Sequence, residues 1–302
     1  MEKIRIWVQL LWAMLVNGFL GFPSTGNIYQ GPLKVICSPG LNCYSCPAAT
    51  TYCPIGSIQQ LLLGVRFSLQ TGQYYVGTFV VGSIGLLGAV FGRFICGWAC
   101  PFGMIQELLH KIPSPKYGIP PILNWGKYLF LVFFVVVFPL VLVDQFGLGQ
   151  PWFCKYVCPA GSLEAGIPMI ILQPDLRSTL GWLYVNKMAI LAGFIFWSVV
   201  SSRPFCRTTC PLGAFYGLFN RFRLIKLQLD PDACTKCGAC HTVCPVEIRF
   251  NETPDSPECI SCMKCLTGAC SFNAISLEVA GFPVSGKTSR KKASTHTSVG
   301  DN

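Results

Sequence analysis

The sequence predicts a mostly α integral membrane protein: four transmembrane helices with short interfacial or re-entrant helices, joined to a small C-terminal α+β domain. Three observations predict it. The chain is 52% hydrophobic and only 12% charged, with a mean hydropathy of +0.50. Four charge-poor stretches approach the ~20 residues needed to cross a bilayer. Eighteen cysteines fall in spaced sets, and the last eight lie in a segment whose two ends alternate polar and apolar residues.

The expected spans are Ile4–Phe22, Tyr74–Phe91, Ile122–Val143 and Leu180–Val200. The first is read as a retained anchor, because no small-x-small cleavage site follows it. Glycines at 77, 82, 85, 88 and 92 suit close helix packing in the second span. Basic residues set the orientation. With the N-terminus inside, that side holds Lys3, Arg5, Arg93, Lys111, Lys116, Lys127, Arg203, Arg207, Arg221, Arg223 and Lys226, against Lys34, Arg66, Lys155, Arg177 and Lys187 outside. Both termini are therefore expected on the cytoplasmic side of a prokaryotic membrane.

Four times the chain writes Cys-Pro-x-Gly, at Cys53, Cys100, Cys158 and Cys210. Proline is well placed in the first turn of a helix, so each motif predicts a cysteine followed by a short interfacial or re-entrant helix, as in Ser57–Leu63 and Met104–His110. The motifs recur with the spans as an internal repeat. The four-span topology puts Cys53 and Cys158 outside and Cys100 and Cys210 inside.

Residues 224–282 form the expected second domain, after a membrane domain at 1–223. Leu224–Asp230 and Ala274–Val279 read as its strands, and 283–302 as a basic disordered tail. Between the strands lies Cys234-x2-Cys237-x2-Cys240-x3-Cys244-Pro245, the run by which bacterial ferredoxins hold [4Fe-4S] clusters. The second run, Cys259-x2-Cys262-x2-Cys265-x4-Cys270, has one extra residue, and Ser271 stands in place of the usual proline. Since the fourth cysteine of each run ligates the other cluster, one cluster takes Cys234, Cys237, Cys240 and Cys270. The other takes Cys259, Cys262, Cys265 and Cys244. Small domains of this size need such staples.

A four-iron cluster needs four ligands, so a Cys-x3-Cys pair needs a complement. Cys96 and Cys100 meet Cys206 and Cys210 at the inner face and make a third site. Outside, Cys154 and Cys158 join Cys53 with either Cys46 or Cys43; the remaining outer cysteines, Cys37 among them, are a disulfide, alternative ligands or reactive thiols. The formal charge of +10 counts thiols as neutral. Each oxidised cluster with four thiolates carries roughly −2, so the excess is not read as nucleic-acid affinity. Histidine occurs only at 110, 241 and 296, leaving no pair for haem within the spans. His110 is expected at a helix C-terminus. No dinucleotide fingerprint, P-loop or hydrolase elbow is present, and Asp144 and Lys187 are read as membrane-edge charges.

Cys96-x3-Cys100-Pro101, Cys206-x3-Cys210-Pro211, the four spans and the double cysteine run resemble the NapH/MauN-like membrane polyferredoxins, and more loosely NosR- and CcoG-type proteins. The resemblance covers about residues 1–282. It implies a cytoplasmic-membrane protein passing electrons between a quinol or cytoplasmic donor and a redox protein partner. The outer set, Cys37 to Cys53 with Cys154 and Cys158, exceeds that two-pair pattern and suggests conduction across the membrane. The expected function is therefore an electron-transfer subunit carrying electrons from the ferredoxin clusters, through membrane-embedded clusters, to an extracytoplasmic or membrane acceptor. A quinone-linked oxidoreductase subunit and a redox sensor or assembly factor for a metalloenzyme are the alternatives. Redox proteins on one or both sides, lipid and quinone are the expected partners. One difficulty accompanies conduction: clusters at two faces of a ~30 Å hydrocarbon core are far apart unless re-entrant helices draw them together.

Overall fold

A computed structural model describes residues 2–71, 78–144 and 149–285. The first four residues of the second expected span and the basic tail beyond residue 285 lie outside the described residues. Helix α1 (Glu2–Val16) packs against the helices at Phe94–Trp98 and Pro101–His110. It ends six residues before the expected Phe22, because its C-terminal carbonyls bond to an incoming loop. Thr50 N–H donates to Val16 O at 2.9 Å, and Phe19 N–H donates to Ala48 O at 3.2 Å.

Cys53 leads directly into α2 (Pro54–Thr71), an 18-residue helix where only a short interfacial stretch is expected. Its two glutamines suggest an interface, yet Gln59 is fully buried, and its Nε2 donates to Phe134 O at 3.1 Å. Helix α3 (Thr78–Phe91) covers the described part of the second span. Short helices α4 (Phe94–Trp98) and α5 (Pro101–His110) follow.

Among the described residues, two helices are long and apolar enough to cross a membrane: α6 (Pro121–Val141) and α8 (Trp182–Val200). At 1.5 Å per residue each is about 30 Å long. Helix α6 takes the wider π pitch over Phe130–Val137, just before Pro139. Proline carries no N–H, so the ladder loses a donor there, and Gln59 satisfies the Phe134 carbonyl nearby. Helix α7 (Pro159–Leu172) is shorter and packs against α8. Helices α9 (Pro204–Thr208) and α10 (Pro211–Phe219) complete the helical body.

The C-terminal part is an antiparallel sheet, β1 (Ile225–Leu229), β2 (Ile275–Val279) and β3 (Phe282–Ser285), in the order β1-β2-β3. Leu227 faces Leu277 in the register. The third strand was not among those expected.

One buried core joins the helical body. It contains Leu41, Cys53, Ile84, Cys96, Cys100, Val135, Phe153, Cys158, Phe205, Cys210 and Tyr216. The segment between Cys37 and Cys53, expected as an outer loop, is folded into this core, with Ser38, Leu41, Asn42, Cys46 and Ala49 buried. Gly40 permits the approach: a Cβ there would sit 2.7 Å from Ala99 O. A smaller core of Leu227, Phe250, Cys259 and Ile275 supports the sheet.

Candidate functional site

Cys-Pro-x-Gly works as a helix start. Cys158 and Cys210 occupy N-cap positions, and their sulfurs accept the N–H groups of Gly161 and Gly213 at 3.5 and 3.4 Å. Proline at the next position has no N–H to leave unpaired. The positive end of the backbone dipoles favours a thiolate there.

The Cys96–Cys100 and Cys206–Cys210 pairs meet. Cys96, Cys100, Cys206 and Cys210 are all buried, between α4, α5, α9 and α10. Burial, then the charges of Cys206 and Cys96, push the Cys100 thiol up to about 12. Burial and the same two neighbours push Cys210 up as well. Gln106, itself buried, donates to Cys206 Sγ at 3.1 Å and accepts Phe205 N–H at 3.1 Å.

Two arginines cross between the pairs. Arg93 precedes Cys96 by three residues and donates from Nη2 to Cys206 O at 3.2 Å. Arg203 precedes Cys206 by three residues and donates from Nη1 to Cys96 O at 2.6 Å. Arg93 pairs with Glu258 at 2.7 Å, and Lys127 binds the same carboxylate. Arg203 pairs with Glu107 at 2.9 Å, and Arg5 binds it at 2.6 Å. Burial tends to raise Glu107, but Arg203 and Arg5 outweigh it and hold the carboxyl down at about 2. Against the same pull of burial, Arg93 and Lys127 hold Glu258 below the usual carboxylate range.

A cavity of about 290 Å³ is lined by Cys43, Cys53, Cys154 and Cys158. Burial, and then the charge of Cys158, push the Cys43 and Cys154 thiols up. Cys46 is not among the lining residues; it lies by Lys34 and Glu164. Cys37 Sγ faces Ser57 Oγ at 3.9 Å. No cysteine is in a disulfide. Glu164 Oε2 accepts Cys43 N–H at 2.6 Å, and burial pushes its carboxyl up to about 7. Tyr216 lies between this set and the previous one: it is fully buried, feels the charge of Cys96, Cys37, Cys100 and Cys53, and donates its hydroxyl to Pro39 O at 3.0 Å.

In the C-terminal part, Cys234, Cys237, Cys240 and Cys270 line one small cavity, with Ala274 N–H on Cys270 Sγ at 3.3 Å. Cys244, Cys259, Cys262 and Cys265 line another, together with Cys240. The second of these sets sits against the helical body. Trp98 Nε1 donates to Ser261 O at 3.0 Å, and Asn220 Nδ2 donates to Cys259 O at 2.9 Å. A Cβ on Gly97 would lie 2.4 Å from Ile260 O, so only glycine allows this contact.

Among the described residues, no group of His, Cys, Asp and Glu converges tightly enough for a single metal ion. The donor chemistry instead fits iron–sulfur clusters. Buried thiols with raised pKa values ionise when iron coordinates them, and the guanidiniums at the Cys96 set match the negative charge that results. Sequence reading used Arg93 and Arg203 only for orientation; their shared place three residues before a Cys-x3-Cys-Pro motif was the available signal. Glu107, Glu164, Gln106 and Tyr216 had no such signal, because their partners lie far along the chain. His110 ends α5, as expected.

A family profile described as "4Fe-4S binding domain" matches residues 74–120, 127–167 and 188–229, and a second of the same description matches 227–250. An uncharacterized protein of Methanocaldococcus jannaschii is 32% identical over 65% of this chain and 76% of its own. The methylamine utilization ferredoxin-type protein MauN of Paracoccus denitrificans is 36% identical over 56% of this chain, which spans 53% of that relative. The putative electron transport protein YccM of Escherichia coli is 23% identical over 68% of this chain and 57% of its own. No solved structure matches.

Proposed function

The chain belongs to the NapH/MauN-like ferredoxin-type proteins, a 4Fe-4S-binding family of electron transport, and on that premise we propose that it relays electrons across a prokaryotic cytoplasmic membrane. Residues 1–223 are the membrane domain, with both termini inside, and 224–282 the ferredoxin-like domain. Four cysteine sets each hold one cluster, which supplies one-electron redox chemistry. In order they are Cys234, Cys237, Cys240 and Cys270; then Cys244, Cys259, Cys262 and Cys265; then Cys96, Cys100, Cys206 and Cys210; and last Cys53, Cys154 and Cys158 with Cys43. Redox proteins at the two ends are the partners.

The carrying observation is the shared core. Cys53 and Cys158 belong to the same buried cluster as Cys96, Cys100 and Cys210, and Cys244 and Cys262 pack against it. The shared core supports re-entrant positions for both sets, which shorten the path that a ~30 Å hydrocarbon core imposes. The chain's residues position the sets, exclude water and supply counter-charge. Two experiments test the relay. About sixteen iron atoms per anaerobically purified chain supports four clusters, and about twelve removes the last. In liposomes with reductant on one side and acceptor on the other, no transfer by fully loaded protein defeats the reading.

A second reading has its own observation. A cavity of about 610 Å³ opens between α1, α5 and residues 241–245, lined by Ile6, Leu10, Ile105 and Leu108 and by polar groups that include Arg5, Glu107, His110, His241 and Lys264. Its size and mixed lining suit a quinone-sized molecule. Reduction of the clusters by added menaquinol supports this use, and no reduction rejects it.

A further inference from the structure

The two membrane cysteine sets differ in the charge built around them. At the Cys96 set, Arg93, Lys127 and Arg203 are 0% exposed and Arg5 is 2% exposed. Among the described residues they pair with two carboxylates, Glu107 and Glu258. The balance beside these cysteines is therefore two positive charges, shielded from water. Arg207, also buried, is paired with Glu247 at 3.0 Å and adds nothing to that excess. Arg223, buried as well, points to Asn220 Oδ1 and Cys259 O.

The Cys43 set has no counterpart. Where Arg93 and Arg203 stand seven residues before Cys100 and Cys210, the matching positions before Cys158 and Cys53 are Pro151 and Cys46. Two lysines approach: Lys187 Nζ donates to Cys154 O at 3.3 Å, and Lys34 Nζ donates to Ala49 O at 3.0 Å. Both are only half-buried, unlike the arginines of the Cys96 set. Glu164 faces the same cysteines.

A cluster gains negative charge on reduction, and fixed positive charge in a dry site favours the reduced form. We propose that Arg93 and Arg203 are positioning residues that raise the reduction potential of the Cys96, Cys100, Cys206 and Cys210 site above that of the Cys43, Cys53, Cys154 and Cys158 site. This rests on the reading that both sets hold clusters. The exchange between them moves one electron: one set is oxidised as the other is reduced, and no bond or proton changes place. The electron itself comes from a redox protein or an added chemical reductant. It rests on the arginine-flanked set, so inward transfer at this step is downhill, and outward transfer requires an acceptor that drains the Cys43 set.

The test is a potentiometric EPR titration of the full-length, anaerobically purified protein. Replacing Cys154 and Cys158 together by serine removes one signal and assigns it. In the unmodified protein the Cys96 signal is expected at the higher potential. R203Q and R93Q are each expected to lower that signal, shifting the electron partition about tenfold, or about 59 mV for a one-electron couple, and to leave the Cys43 signal in place; R203Q also lowers the signal of the set that holds Cys262, which feels the same guanidinium. R203K, which keeps the charge, is expected to shift the Cys96 signal less. Equal or inverted potentials in the unmodified protein overturn the proposal, even where the glutamine variants fail to load iron. Glutamine variants that keep their iron and shift nothing overturn it too. If the double serine variant keeps every signal and all its iron, the Cys43 set holds no cluster, and the relay reading fails along with the proposal.

Discussion

The Tyr216 hydroxyl donates to the Pro39 carbonyl at 3.0 Å, pinning the Cys37–Cys53 segment to the helix that starts beside Cys210. A fully buried phenol rarely leaves its hydroxyl unpaired. Here the phenol also feels the charge of both the Cys96 and the Cys53 sets. Y216F is expected to cost ~1 kcal/mol through the unpaired carbonyl, and Y216A ~3–5 kcal/mol through the cavity. Both are read from denaturation in detergent. In the reduced protein, EPR should show weaker magnetic coupling between the two sets in Y216A than in Y216F. Equal coupling in both would remove Tyr216 from the path between them.

The loop also separates candidates that spacing left open. Cys43 lines the cavity with Cys53, Cys154 and Cys158, whereas Cys46 and Cys37 do not. C43S should therefore lose about four iron atoms per chain, while C46S and C37S keep them. Iron analysis of the three purified variants checks this. Loss in C46S with retention in C43S would reverse the assignment.

Gly97 governs docking of the C-terminal part. Its carbonyl accepts from Arg5 and Gln9, at 3.3 and 2.8 Å, while its bare Cα faces Ile260 O. A side chain there pushes backbone against backbone, which cannot move cheaply. G97V should loosen residues 256–262 from the helical body, and hydrogen exchange of Cys259, Ile260 and Ser261 should rise. Unchanged protection would mean that the contact is not tight.

Local chemistry made much of the fold legible. Pro54, Pro101, Pro159 and Pro211 start helices because proline's fixed φ suits a first turn. Alternation placed β1 and β2 within a residue of each end. Reach across the chain was not legible. α1 stops at Val16 because residues 48–50 bond to its end, and no local pattern announces that partner. Gln59 looked interfacial until Pro139 freed a carbonyl for it, 75 positions on. The choice between Cys43 and Cys46 depends on how a loop folds inward. Arg93 and Arg203 were visible as a repeat, but their crossing is a tertiary fact.

Glu107 makes acid sensitivity a measurable property of the junction. Its carboxylate bridges Arg5 and Arg203, at 2.6 and 2.9 Å. In the folded chain it titrates at about 2, against an ordinary 4.5. The folded value is depressed, so the stabilisation is complete above the ordinary value and is lost as pH falls from there towards 2. By linkage it amounts to ~3 kcal/mol. E107Q removes the charge and leaves two buried guanidiniums facing a neutral amide, at a cost of ~3–5 kcal/mol at neutral pH. It also removes this proton uptake. Between about pH 5 and pH 3 the melting temperature of the parent should therefore fall more steeply than that of E107Q. Visible absorbance followed at each pH reports cluster loss, and the two proteins are compared only where both keep their clusters. Parallel curves would show that Glu107 is not held ionised by its two arginines.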